Sequence, residues 1–479
     1  MKVLVTNPPW PGPGYGLRSD VRWPHRRKDK FIEYPTYLAY VCAILKKVGI
    51  DVVFVDGIVE ELSIDDFAER VQQIRPDMMV MECSTPSIDY DLLTARTVKQ
   101  KSPNTFILLV GSHPTVFHEQ IMKDHESVGG ICRGEFDYTV RDAALAIANK
   151  GGLGKVPGLT YRENGRIKIN ENRALIENLD EIPFPDRNLV RIPNYVSAHY
   201  SGKNATFIIS SRGCPYGCIF CLWPRTLYGR KTRFRSPENV IEEIAQLKGD
   251  FGVEELYFDD DCLVQDRERL IKICKLMINK GLTLKWFCQA RVTVDEEMLR
   301  YMKESGCHTI FFGVESGDPE MLKRMKKGIT LDQVRNAFKL ARKLGIKAQA
   351  FFMFGLPGET EESRQKTIEF AKEIKPYSAQ FATAVPHPGT VLYDMCMKKG
   401  WLKFDSWEDF DACNFLIETP EFNRKVIEQA RAKAYRSFYL RPGYMLQTAL
   451  TIKDWPEAKR VINSGLSILN RLRLFKEAN

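Results

Sequence analysis

The sequence predicts an α/β protein: a doubly wound parallel sheet, then a (β/α)6 partial barrel, then a helical C-terminal region. Three observations predict it. Short β-branched runs alternate with amphipathic segments over residues 1–148, and such alternation builds parallel βαβ units. A second series of six strand–helix units starts at Ala205, two short of the eight in a full barrel. Beyond about Tyr393 the pattern is mostly helical.

In the first unit, residues 2–6 read as a strand, 36–48 as a helix stopped by Gly49, 52–55 as the second strand and 64–74 as the next helix. Residues 78–81 and 106–110 follow as strands on either side of a helix over 90–101. Ligands of such sheets sit beyond the carboxyl ends of the strands. Those ends are Asn7-Pro8-Pro9, Asp56-Gly57, Ser84-Thr85-Pro86 and Gly111-Ser112-His113-Pro114-Thr115. Residues 149–204 are rich in Gly, Pro and Asn and read as a linker, with a hairpin over 159–169 turning at Asn164-Gly165. The second unit places strands at 205–210, 255–258, 285–289, 309–314, 347–354 and 379–384. Its helices fall at 237–248, 266–280, 296–305, 318–324, 330–344 and 361–374. The expected domains are therefore a Rossmann-like domain over 1–148, the linker, a partial TIM barrel over 205–395 and a helical domain over 396–479.

Composition narrows the class. In 479 residues, 44% hydrophobic and 27% charged, wholesale disorder is excluded. No apolar run approaches the ~18–20 residues of a membrane-spanning helix. The opening MKVLVTNPPW is a strand followed by prolines, without the apolar core of a secretory signal, so a cytoplasmic protein is expected. The net charge of +9 is uneven, with twelve Lys/Arg against five Asp/Glu over 421–479. Such a basic tail is solvated, or meets an anionic partner. Residues 461–475, VINSGLSILNRLRLF, space Leu and Ile helically beside Arg471 and Arg473. That pattern suits a peripheral membrane contact or a helix packed on the barrel. A long first loop, Trp10-Pro11-Gly12-Pro13-Gly14-Tyr15-Gly16 with Arg18, Arg22, Arg26, Arg27 and Lys28 behind it, could bind a substrate phosphate or carboxylate, or be solvated.

Of the twelve cysteines, most sit alone in apolar settings, such as Cys42 and Cys274, and read as small buried hydrophobes. Three cluster. Cys214, Cys218 and Cys221 lie in SSRGCPYGCIFC directly after the first barrel strand, spaced C-x3-C-x2-C. Three thiolates on one loop can hold three irons of a four-iron cubane and leave the fourth open. The alternative is a zinc site completed by a distant residue such as Cys262.

This loop resembles the signature of the radical S-adenosylmethionine (SAM) superfamily, with Phe220 before the last cysteine. The resemblance covers roughly 205–395. It implies a 4Fe-4S cluster on Cys214, Cys218 and Cys221, whose open iron chelates SAM and whose electron cleaves it to a 5′-deoxyadenosyl radical. SAM contacts follow position by position: Phe220; Asp260, within Tyr257-Phe258-Asp259-Asp260-Asp261; Gln289 and Arg291; Glu315 and Ser316, within GVESG; and Gly355, within GLPGET. Pro386-His387-Pro388-Gly389-Thr390 resembles the sixth-strand PYPGT, with His387 in place of Tyr as a weak catalytic candidate.

The whole chain is similar to the cobalamin-binding class of this superfamily, through Gly111–Thr115 and Arg133-Gly134-Glu135-Phe136-Asp137. The resemblance implies cobalamin contacts at Asn7, Pro8, Ser84, Thr85, Gly111, His113, Gly134 and Glu135. The D-x-H-x-x-G motif that would ligate cobalt is absent. The function implied is cobalamin-dependent methylation of an unactivated carbon in a small-molecule or lipid-like substrate. The alternative is non-methylating C–C bond formation, cyclisation or rearrangement. An electron donor such as flavodoxin or ferredoxin is expected. A nucleic-acid partner is not, because no RNP-type aromatic motif is present.

Overall fold

The computed structural model describes residues 1–18, 24–196, 204–412 and 414–451. The basic stretch 461–475 and Arg22 lie outside them.

Strand Lys2–Asn7 is buried along nearly its whole length, the state of a parallel strand covered on both faces by helices. It is the second strand in from the edge of a seven-stranded sheet. From edge to edge the order is Asp51–Asp56, Lys2–Asn7, Met78–Glu82, Phe106–Val110, Gly130–Cys132, Leu159–Glu163 and Arg166–Ile169. The first five strands are parallel and the last two antiparallel. The hairpin in the connecting segment thus extends this sheet. The chain reverses winding direction between Lys2–Asn7 and Met78–Glu82, and a cleft opens beyond the carboxyl ends at such a switch. Helices Ser112–Asp124 and Asp137–Ala148, which the sequence reading passes over, complete the two layers.

The second sheet has six parallel strands in chain order: Ala205–Ile208, Glu255–Phe258, Lys285–Ala290, Cys307–Glu315, Lys347–Phe354 and Ser378–Thr383. All six expected strands are present, two with the expected ends and four with ends moved by one or two residues. A row of rings runs around it, Phe207–Tyr257–Phe287–Phe311–Phe351, with neighbouring centroids 4.7–5.7 Å apart. Side chains of the alternate register, such as Phe312 against Phe338 at 5.3 Å, pack on the surrounding helices.

An open barrel leaves two edge strands with unpaired backbone groups, here Ala205–Ile208 and Ser378–Thr383, the latter being the edge that the C-terminal region meets. Helix Arg424–Tyr439 covers that edge. The Tyr439 hydroxyl accepts from the Ala379 amide at 3.0 Å and donates to its carbonyl at 2.7 Å. Tyr435 accepts from the Phe381 amide at 3.3 Å, and Arg431 donates to the Phe381 carbonyl at 3.2 Å. The helical C-terminal region also holds Val391–Lys399 and Pro442–Thr451. Between helices, the stretch 400–423 crosses to the first domain. There Trp407 packs on His113 and Phe117, with centroids 4.8 and 5.3 Å away, and the Asp411 carboxylate accepts from the Arg26 amide at 2.7 Å.

Candidate functional site

The cysteine loop is fixed at its stem. Ser211–Arg212 pairs antiparallel with Arg233–Phe234. Gly213 follows at φ 88°, where an added Cβ would lie 2.3 Å from the Lys231 carbonyl oxygen, so only glycine fits. The Gly213 amide donates to Asp261 at 2.8 Å. The Ile219 amide donates to the Met325 carbonyl at 3.1 Å, and the Leu392 amide to the Ile219 carbonyl at 3.0 Å.

Cys214, Cys218 and Cys221 are half-buried, whereas the other eight described cysteines are buried. A hydrogen bond from Cys262 draws the Cys214 thiol down to about 7, and the same contact pushes Cys262 up. Cys214 is therefore readily a thiolate near neutrality, the form that binds metal. Among the described residues, no three His, Cys, Asp or Glu side chains converge as a single-ion site requires. In a cubane each thiolate takes its own iron. Three partly exposed thiols on one anchored loop fit that group.

The expected SAM positions all lie at the barrel's carboxyl end. Phe220 packs half-buried against the core. Asp260 is turned toward the loop stem, where it accepts from the Ser210 amide at 3.1 Å and from the Ser210 and Ser211 hydroxyls. Gln289 donates to the Tyr257 hydroxyl. Arg291 lies 3.5 Å over the Tyr216 ring and donates to the carbonyls of Lys327 and Gly328. Glu315, at φ 68°, pairs with Lys327 at 2.6 Å. The Ser316 and Thr367 hydroxyls are 3.0 Å apart. Gly355 sits at φ 87° under the Phe415 ring and donates to Glu359 at 2.6 Å. His387 is buried, neither ring nitrogen has a hydrogen-bond partner among the described residues, and burial lowers it to about 4. Lys327 and Tyr216 were not singled out from sequence. Lys327 stands twelve residues beyond its partner, with no local pattern to mark it.

Facing this loop is a cleft beyond the carboxyl ends of strands Met78–Glu82 and Phe106–Val110, next to the switch point of the first sheet. Its walls are Arg18, Glu82, Cys83, Ser84, Gly111, Ser112 and Phe136 on one side and Leu222, Trp223 and Leu227, just after the cysteines, on the other, with Tyr37 and Pro24 completing it. Its volume is about 20 Å³, room for about one water, so a corrin would fit only with the walls parted. Ser84 and Gly111 reach it. Asn7 lies behind, bonded to Asp56 at 3.3 Å and to Arg18 at 2.8 Å, and the Pro8 carbonyl accepts from Arg18 at 2.6 Å. Thr85 is 3.2 Å from His113, and burial holds His113 down at about 3, hence neutral. Gly134, at φ 71°, has open space where a Cβ would stand. Both Glu135 oxygens are taken by guanidiniums, Arg212 at 2.9 Å and Arg233 at 2.7 Å.

Three of the first loop's basic residues, Arg18, Arg26 and Arg27, are committed to protein partners. Arg18 is fully buried against Asp91 at 2.7 Å, Arg26 donates to the Trp10 carbonyl at 3.0 Å, and Arg27 pairs with Asp29 at 2.8 Å. The lining of the cleft, largely apolar, beyond the carboxyl ends of a parallel sheet and opposite the cysteine loop, suits a flat macrocycle in its chemistry, though the walls must part to admit one.

Comparison with known proteins agrees. The model of the radical SAM superfamily matches residues 208–371, and that of the B12 binding domain matches 26–144. An uncharacterised methyltransferase of Pyrococcus horikoshii is 34% identical over 86% of this chain and 89% of its own length. The chain belongs to the radical SAM superfamily, in the class with a B12-binding domain. It is thus a radical SAM enzyme whose cofactors are a 4Fe-4S cluster, SAM and cobalamin. An anaerobic magnesium-protoporphyrin IX monomethyl ester cyclase of Cereibacter sphaeroides is 26% identical over 92% of this chain and 71% of that protein. The fold is that of the radical SAM methyltransferase TsrM of Kitasatospora setae, whose structure superposes with a TM-score of 0.73 at 14% identity, covering 100% of this chain and 99% of that one. Among the described residues no helix is long and apolar enough to cross a membrane.

Proposed function

We propose that this enzyme methylates an unactivated carbon of a small-molecule or lipid-like substrate. The observation that carries the reading is the placement of the B12-domain cleft against Leu222 and Trp223, the residues that follow the cluster cysteines. The likeness to a methyltransferase over most of both chains supports it. When bound, the cluster and SAM supply the radical that removes hydrogen, and cobalamin supplies the methyl group.

The protein's own residues bind, orient and exclude water. Cys214, Cys218 and Cys221 hold the cluster. Phe220, Gln289, Arg291, Glu315, Ser316 and Gly355 shape the SAM pocket, with Asp260 bracing the cysteine loop. Ser84 and Gly111 line the corrin's side of the cleft, Asn7, Pro8, Thr85 and His113 stand behind them, and Gly134 keeps open space where a Cβ would stand. His387, neutral and buried, is available to hydrogen-bond substrate. The reading also carries domains at 1–148, 205–395 and 396–479, a flavodoxin or ferredoxin as electron donor, a cytoplasmic setting, and a peripheral membrane contact through the basic tail.

The test is anaerobic reconstitution with iron, sulfide and hydroxocobalamin, desalting, and product analysis with SAM and dithionite. About one retained corrin per chain, with both 5′-deoxyadenosine and S-adenosylhomocysteine formed, is expected. Deoxyadenosine as the only SAM product would instead favour a non-methylating reaction, the reading that the 26% likeness to a cyclase supports.

A further inference from the structure

The interface between the two domains holds a buried network of two carboxylates and two guanidiniums. Arg212, two residues before Cys214, donates to Glu135 at 2.9 Å and bidentately to Asp137 at 2.8 and 3.1 Å. Arg233, its neighbour across the loop stem, donates to the other Glu135 oxygen at 2.7 Å and to the Ile176 carbonyl at 2.7 Å. The Ile176 amide donates back to Glu135 at 2.8 Å. All four charged side chains are at most 3% exposed. The Arg212 guanidinium is further held between the rings of Tyr40 and Tyr228, 5.3 and 5.1 Å from their centroids.

The location gives the network its meaning. Glu135 and Asp137 flank Phe136, which lines one wall of the cleft, and Arg212 leads into the loop whose distal end, Leu222 and Trp223, lines the other. Four buried charges that cancel in sum are an expensive way to join two domains, since apolar packing would stabilise as well. Bidentate guanidinium–carboxylate pairs do offer directional fixing that apolar contacts lack.

We propose that Glu135 and Asp137, through Arg212 and Arg233, are positioning residues that set the separation and orientation between the cobalamin cleft and the cluster loop. The inference rests on cobalamin occupying that cleft. Neither carboxylate touches a cofactor. Both act through the stem of the loop that does.

The test uses reconstituted enzyme carrying cluster and cobalamin. D137N alone leaves a buried cation short of a partner and can unfold the interface, so the balanced pair D137N/R212Q is compared with wild type, and R212K serves as the conservative variant. Two quantities are read: the enhancement of cob(II)alamin spin relaxation by the reduced cluster, and the ratio of deoxyadenosine to S-adenosylhomocysteine. The balanced variant should keep its iron and corrin, show a weakened spin enhancement, and raise the ratio by roughly ten- to a hundredfold, because a 1 Å misplacement costs up to about a hundredfold in rate. R212K should fall between. Unchanged enhancement and ratio would overturn the proposal, and so would loss of iron or corrin from the balanced variant, which would mark the network as scaffold alone. A wild-type protein that holds corrin but makes no S-adenosylhomocysteine would sink only the methyl-transfer reading, since the spin measurement still decides this one. Wild type that holds no corrin would overturn both.

Discussion

Glu359 offers a sharp test of the barrel mouth. It closes the GLPGET turn by accepting from the Gly355 amide at 2.6 Å, with an Arg364 nitrogen 3.8 Å away. Burial pushes its carboxyl up from 4.5 to about 8, against the pull of that amide and of Arg364. The folded group therefore holds its proton where the unfolded chain has released it. Its contribution to stability is complete below about pH 4.5 and is lost as pH rises toward 8. At about 1.4 kcal/mol per pH unit, the loss between pH 5 and 9 has a ceiling of about 4 kcal/mol. Because buried sites behave as though their dielectric is nearer 20 than 4, roughly 2 kcal/mol is a fair lower figure. Glu359→Gln keeps an acceptor for Gly355 and removes the titration. Thermal midpoints of wild type and variant, followed from pH 5 to 9, should diverge in favour of the glutamine by about 4 °C or more. Parallel profiles would mean that Glu359 is ionised in the fold, with Arg364 rather than burial in control.

Three further outcomes follow from the same geometry. Cys214→Ser, Cys218→Ser and Cys221→Ser should each abolish the visible iron–sulfur absorption and SAM cleavage, whereas Cys274→Ser, in a buried apolar setting, should retain both. Arg18→Met strands the fully buried Asp91 and should cost about 3–5 kcal/mol, read as a lowered unfolding midpoint in apoprotein. Gly355→Ala meets the Phe415 ring at 2.2 Å and an unfavourable positive φ; the backbone alone costs about 1–2 kcal/mol, and adding Phe415→Ala should recover part of the loss in a double-mutant cycle.

The two sheets were legible because a parallel strand buried on both faces is a compact apolar run, as in KVLVTN and KAQAFFMF. The cysteine loop was legible because a cluster needs its ligands at fixed local spacing. What the sequence could not disclose is direction across space. Asp260 stands at the expected strand end, yet its carboxylate turns to the serines of the neighbouring strand, some fifty residues away in the chain. Likewise Lys327 reaches Glu315 only because a helix between them folds back over the mouth.

Glu135 is the clearest case. Its motif, Arg133-Gly134-Glu135-Phe136-Asp137, sits at the carboxyl edge of a ligand-binding sheet, so a role at the ligand is the natural reading. The structure divides the motif by side-chain direction. Phe136 faces the cleft, while the acids on either side turn to Arg212 and Arg233, 77 and 98 residues onward. Consecutive residues leaving a short strand for a helix cannot all point one way, so a motif that serves both a ligand and a domain contact must split its residues between the two. Which residue goes where depends on what the second domain brings to the interface, and that is fixed by tertiary packing rather than by anything within the motif itself.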